Sequence, residues 1–144
     1  MAEQRLDLND AERAHLDALL EAARVLVEAR GFAVPDGGLP TPQQLDKCFQ
    51  AWAAEPIETR IHANDVVNAF GAVLGAHLCG RLGLHWILVT DEYGTDFAVH
   101  GDPGDVLIFP IDATAKRLER GETYFFDEFI DAVVNRVTEI RASW

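Results

Sequence analysis

Residues 85–100 read His-Trp-Ile-Leu-Val-Thr-Asp-Glu-Tyr-Gly-Thr-Asp-Phe-Ala-Val-His, and this stretch decides the fold class. His85, Ile87 and Val89 alternate with Trp86, Leu88 and Thr90, the period-two pattern of a strand. Asp91-Glu92-Tyr93-Gly94 is a turn signal, with Gly94 supplying the left-handed conformation that a short hairpin loop needs. Asp96–His100 returns as the second strand, so Trp86–His100 reads as a β-hairpin. Gly101-Asp102-Pro103-Gly104 is a second turn, and Val106–Phe109 is a third strand stopped by Pro110. The first and third strands carry large apolar residues on both faces, which predicts a mostly covered sheet.

Helical periodicity surrounds this core. Upstream, Asn9 reads as an N-cap with Glu12 in the capping-box position, and Leu16, Leu19, Leu20, Ala23 and Val27 form one stripe that ends at Gly31. Phe32–Pro40 holds two prolines and two adjacent glycines, a loop. Thr41, Pro42 and Gln44 then start a second helix carrying Leu45, Cys48, Phe49 and Trp52. A third, about His62 to Leu82, is apolar nearly all round and so reads as buried, lying on the sheet. Its Gly71 and Gly75 each cost about 1 kcal/mol of helix propensity against alanine. That cost predicts a neighbour packed close against the backbone. Downstream, Asp112 is the expected cap of a short helix through Arg120, and Thr123 the cap of a last helix striped by Phe126, Phe129, Ile130, Val133, Val137 and Ile140. The fold class is therefore α+β: three N-terminal helices, a three-stranded antiparallel meander and two C-terminal helices.

A chain of 144 residues with 49% apolar and 25% charged side chains fits one domain with a real core. We expect an N-terminal helix and loop over residues 1–40 in front of an α+β core over residues 41–144. Met1 to Asp10 is polar and offers no leader, and Val66 to Gly80 is too short to span a bilayer. Cys48 and Cys79 fall in apolar helical patterns and read as buried free thiols. From these features we expect a cytoplasmic protein with no membrane partner.

The net charge of −12 is unevenly spread, because residues 85–115 contain Asp91, Glu92, Asp96, Asp102, Asp105 and Asp112 but no Lys or Arg. We expect no nucleic-acid partner, since phosphate binding depends on clustered basic side chains. A basic protein partner is electrostatically allowed, and open strand edges allow a dimer. Acidic turns that keep the protein soluble are the plainer account.

Several stretches together carry a resemblance: Asn68-Ala-Phe-Gly71-x-x-x-Gly75, Leu84-His-Trp86, Asp91-Glu92-Tyr93-Gly94, Phe109-Pro110 and Lys116-Arg117-Leu118-Glu119-x-Gly121-Glu122 occur in that order. Over roughly residues 45–135 the chain resembles the bacterial family of domain of unknown function 3806, a domain-sized stretch. The resemblance implies a compact α+β module and no activity, so it assigns no catalytic residue.

The candidate sites are few. Asp91, Glu92 and Asp96 with Tyr93 offer clustered carboxylates for a cation, although their spacing does not match a calcium loop. The structural alternative is an Asx turn in which Asp91 bonds the loop backbone. Lys116 and Arg117 are either an anion site or ion-pair partners for Asp91, Asp96 or Asp112. Trp86 either walls a pocket between the sheet and the third helix or fills the core. Of the histidines, His77 reads as a hydrogen-bonded core residue. His85 and His100 fall on neighbouring strands, near opposite ends of the hairpin's paired length. No zinc motif, nucleophile constellation or phosphate loop is present, and no catalytic residue, metal or cofactor is assigned. The leading expectation is a non-enzymatic, accessory or immunity-like interaction module that presents an acidic hairpin. The alternative is a small-molecule or metal-binding domain, or an enzyme, built on the Asp91–Asp96 turn with nearby His and Trp.

Overall fold

The computed structural model describes residues 2–144; Met1, the first residue of the stretch read for a leader, lies outside them. Elements run β1 (Gln4–Asp7), α1 (Asp10–Glu28), α2 (Pro42–Ala53), α3 (Ala63–Leu82), β2 (His85–Asp91), β3 (Gly94–Gly101), β4 (Val106–Ile108), α4 (Pro110–Glu119) and α5 (Phe126–Ala142). The α+β class is as expected, but the sheet has four antiparallel strands in the order β1-β2-β3-β4 rather than three. The added strand, β1, precedes the helices and pairs with β2 from Gln4↔Thr90 to Asp7↔Ile87. Its four residues are all exposed and include one apolar side chain, Leu6. Pairing with β2, not local pattern, makes it a strand.

Both capping boxes form. The Asn9 and Thr41 side chains accept the backbone N–H of Glu12 and Gln44, whose own side chains return the bond. The two later caps differ from expectation. Pro110 opens α4 directly after β4, so Asp112 lies inside the helix and pairs with Lys116 at 2.9 Å instead of capping. Thr123 does not cap α5 either. Asp46, on α2, accepts the N–H groups of Phe126 at 2.7 Å and Asp127 at 3.2 Å. A carboxylate from a distant helix thus satisfies two of the orphan donors that every helix start leaves.

α3 lies at the centre, packed on α1, α4, α5 and the sheet. Its glycines explain how closely. A Cβ at Gly71 would stand 2.7 Å from the Ile111 Cα of α4, and one at Gly75 would stand 2.3 Å from two ring carbons of Trp86. The expected close neighbours are therefore α4 and the first strand of the hairpin. On the far side of α3, Phe49, Phe70, Phe125 and Phe126 form an aromatic cluster joining α2, α3 and α5, with centroids between 4.3 and 6.0 Å apart.

The sheet is not covered equally on its two faces. Trp86, Leu88 and Phe97 pack with Leu8, Leu16 and Ala72 on the helical side. Ile87, Val89 and Ala98 on the other face form a separate cluster with Leu107 and Phe109, and no helical side chain joins it. The sheet expected to be mostly covered thus carries a helical layer on one face only. The small apolar centre of the other is nevertheless buried.

Candidate functional site

The β2–β3 hairpin is closed by a two-residue loop, Glu92-Tyr93, between the paired Asp91 and Gly94. Asp91 Oδ1 accepts the Tyr93 N–H at 2.8 Å, the Asx turn expected as the structural alternative. Gly94 has φ +132°, a conformation that side chains disfavour. Thr90 and Thr95 hydrogen-bond across the strands at 2.8 Å immediately below the loop. Asp91 and Gly94 therefore build the tip. Glu92 and Tyr93 build nothing, and Tyr93 is 90% exposed. Asp96 is also exposed, and neither it nor Glu92 enters an ion pair among the described residues.

The other candidates do not converge on this tip. Trp86 fills and walls at once: its indole rests on Gly75, meets Phe97 edge to face at 6.3 Å, and lines a cleft of about 480 Å³ between α1 and the start of β2. Leu16, Leu20, Leu84 and Cys79 line the same cleft. Burial pushes the Cys79 thiol up to about 11, which keeps it protonated and unreactive at neutral pH. Lys116 and Arg117 sit on α4 and pair with Asp112 and Glu122, not with Asp91 or Asp96. Arg117 also lies over the Phe125 and Phe129 rings and lines a groove between β4 and α5. Arg117 thus holds α4 to its surroundings, whereas Lys116 pairs within the helix itself.

Two histidine assignments resolve differently. His77 Nε2 lies 2.7 Å from the Pro40 carbonyl oxygen, a hydrogen-bonded core histidine as expected. His85 and His100, in contrast, are direct cross-strand partners at the open end of the hairpin, with ring centroids 5.7 Å apart. They are not at opposite ends of its paired length. A two-residue loop makes this countable, because six steps back from Asp91 and six forward from Gly94 reach His85 and His100.

Sequence reasoning missed the group that surrounds His100. Its Nε2 lies 2.7 Å from Asp105 Oδ1, which also accepts from Arg5 Nη1 at 2.8 Å. His100 first and Arg5 second hold the Asp105 carboxyl below its ordinary range. Asp102 completes the cluster, accepting the Asp105 N–H at 3.1 Å. The missing signal was β1, which brings Arg5 to the sheet.

Comparison with known proteins adds a family and a fold. The family model described as domain of unknown function (DUF3806) matches residues 46–129, more than half of the chain. The matched span begins in α2 and ends in α5, leaving β1 and α1 outside it. No curated protein matches the sequence. A crystal structure from Bacteroides thetaiotaomicron VPI-5482 superposes with a TM-score of 0.72 at 13% identity, over 94% of this chain and 48% of that one. The chain thus spans about half the length of that protein, and the likeness concerns the fold alone. No helix among the described residues is long and apolar enough to cross a membrane.

Proposed function

The chain belongs to the DUF3806 family, whose description carries no activity, and from its own surface we propose a non-enzymatic interaction module that presents the β2–β3 tip to a basic protein. One observation carries this: Tyr93 stands 90% exposed on a loop whose conformation Asp91 and Gly94 already hold. A tyrosine on a preordered loop costs little backbone freedom on docking and offers its ring face to a partner lysine or arginine. Glu92 and Asp96 beside it are free to meet the same cation, and no Lys or Arg lies between residues 85 and 115 to compete. An accessory or immunity-like role is the kind such a surface serves. The two free thiols suit a reducing, cytoplasmic setting.

Affinity capture from a bacterial lysate tests the proposal when the wild type is run beside Tyr93→Ala and Glu92→Lys at low and high salt. The expected partner is basic, is retained at low salt by the wild type, and is lost with either substitution. Recovery of the same proteins by all three baits would sink the idea.

A further inference from the structure

We propose that the open end of the β2–β3 hairpin, opposite the tip, is a binding site for one divalent transition-metal ion, held by His85, His100, Asp102 and Asp105. One donor atom each from His100, Asp102 and Asp105 already lies within 4.8 Å of the other two. Bonds of about 2.0–2.2 Å to a shared tetrahedral ion place donors roughly 3.3–3.6 Å apart, so side-chain rotations that move the donor atoms by about an ångström close this set. The fourth donor comes from a different strand. His85 is paired with His100 on the same face, is exposed, and is free to turn its ring toward the shared centre.

The chemistry of the set selects the ion. Two imidazoles with two carboxylates suit zinc and its neighbours, whereas calcium and magnesium favour all-oxygen shells. The other three histidines stand elsewhere: His62 caps α3, His77 bonds Pro40, and His15 stacks on Phe97 at 5.8 Å. The turn that carries Asp102 and Asp105 is anchored by Arg141, whose Nε donates to the Pro103 carbonyl at 3.0 Å and whose Nη1 donates to the Leu82 carbonyl at 2.7 Å. Arg5 is the competitor. It and His100 both engage Oδ1 of Asp105, and Oδ2 accepts no hydrogen bond among the described residues. Metal entry therefore replaces the His100–Asp105 contact and weakens the Arg5 pair.

Chelator-treated full-length protein titrated with zinc chloride tests this by calorimetry, with histidine side-chain NMR as the second readout. We expect one equivalent bound, ring shifts confined to His85 and His100, and affinity lowered more than about tenfold by His100→Ala. His85→Ala weakens binding less, and Arg5→Gln tightens it, because the competitor for Asp105 is gone. Calcium binds far more weakly. No binding, equal binding of calcium and zinc, or zinc affinity unchanged by His100→Ala and His85→Ala would overturn the site. The wild-type NMR pattern decides even if a variant fails to fold, since shifts at other histidines or at the Asp91–Asp96 tip also overturn it. The tip proposal stands or falls separately, because its variants touch none of these four donors.

Discussion

The seam between α3 and Trp86 and the tip of the β2–β3 hairpin share a strand, yet their residues do opposite things. At the seam every residue is committed to packing: Gly71 receives the Ile111 backbone, and Gly75 receives the Trp86 ring and Pro110. At the tip only Asp91 and Gly94 are committed, and Glu92 and Tyr93 point to solvent. Gly71, Gly75, Trp86, Pro110, Asp91 and Gly94 all belong to the stretches that carry the family resemblance. The difference teaches that those stretches chiefly encode architecture. Residues free to act on another molecule are the ones left over once the architecture is subtracted.

The largest expected effect tests the seam. Gly75→Ala improves helix propensity by about 1 kcal/mol, but its methyl would lie 2.3 Å from the Trp86 ring. Overpacking of this kind costs about 1–3 kcal/mol, and the rigid indole, with Pro110 Cγ also 3.0 Å from the added methyl, puts this case near 3. Denaturant unfolding should show that loss, and a Trp86→Leu background should shrink it. A Gly75→Ala protein as stable as the wild type would mean the seam is looser than its geometry.

Asp46 comes next, because it is a packing residue that looks like a functional one. It is 2% exposed and is the sole described side chain that accepts backbone N–H groups at the α5 N-terminus. Asp46→Ala leaves the buried Phe126 N–H and the half-buried Asp127 N–H unpaired and is expected to cost about 2 kcal/mol. Burial raises its carboxyl above the ordinary 3.8, against the opposing pull of the Phe126 and Asp127 N–H groups. Between the ordinary and the raised value the folded chain therefore holds more proton than the unfolded one. Asp46's share of stability falls as pH rises through that window. Asp46→Asn carries no such proton, so wild type minus Asp46→Asn should be largest at the acid end and shrink upward. A difference that grows with pH would reverse the assignment.

Gly80 supplies the smaller, opposite effect on the same helix. Nothing lies within 4 Å of the position a Cβ would take, and the residue is exposed. Gly80→Ala should stabilise by about 0.5–1 kcal/mol. One glycine that must stay and one that can go, five residues apart, separate packing from propensity. Destabilisation by Gly80→Ala would show that propensity and space do not govern here.

How much of this was legible follows from how local each device is. Both capping boxes are read within four residues, and both form. The cost of Gly71 and Gly75 announced a close neighbour without identifying it, because Trp86 and Ile111 reach the helix only through the tertiary fold. The Asp91 turn was readable for the same reason as the caps. What failed was non-local. β1 has one apolar residue in four and exists through its pairing with β2. The α5 cap comes from Asp46, 80 residues away, so the local logic that favoured Thr123 had no access to it. The His100–Asp102–Asp105 group looked like a plain turn until Arg5 and His85 were brought beside it.

The smallest effect on stability is the sharpest test of the comparison. Tyr93 makes no hydrogen bond through its side chain among the described residues, touches no aromatic partner and is 90% exposed. Tyr93→Ala should therefore change unfolding free energy by less than about 0.5 kcal/mol, the range of surface substitutions away from special features. Asp91→Ala, two residues earlier, removes the bond to the Tyr93 N–H and should cost about 1 kcal/mol or less, since that N–H can turn to water. If the tip serves a partner, the order inverts in a binding assay, with Tyr93→Ala more damaging than its stability change allows. If the tip is only a turn, Asp91→Ala stays the worse of the two in every measurement. A Tyr93→Ala protein that loses several kcal/mol would instead move Tyr93 to the packing side, and the division between seam and tip would fail.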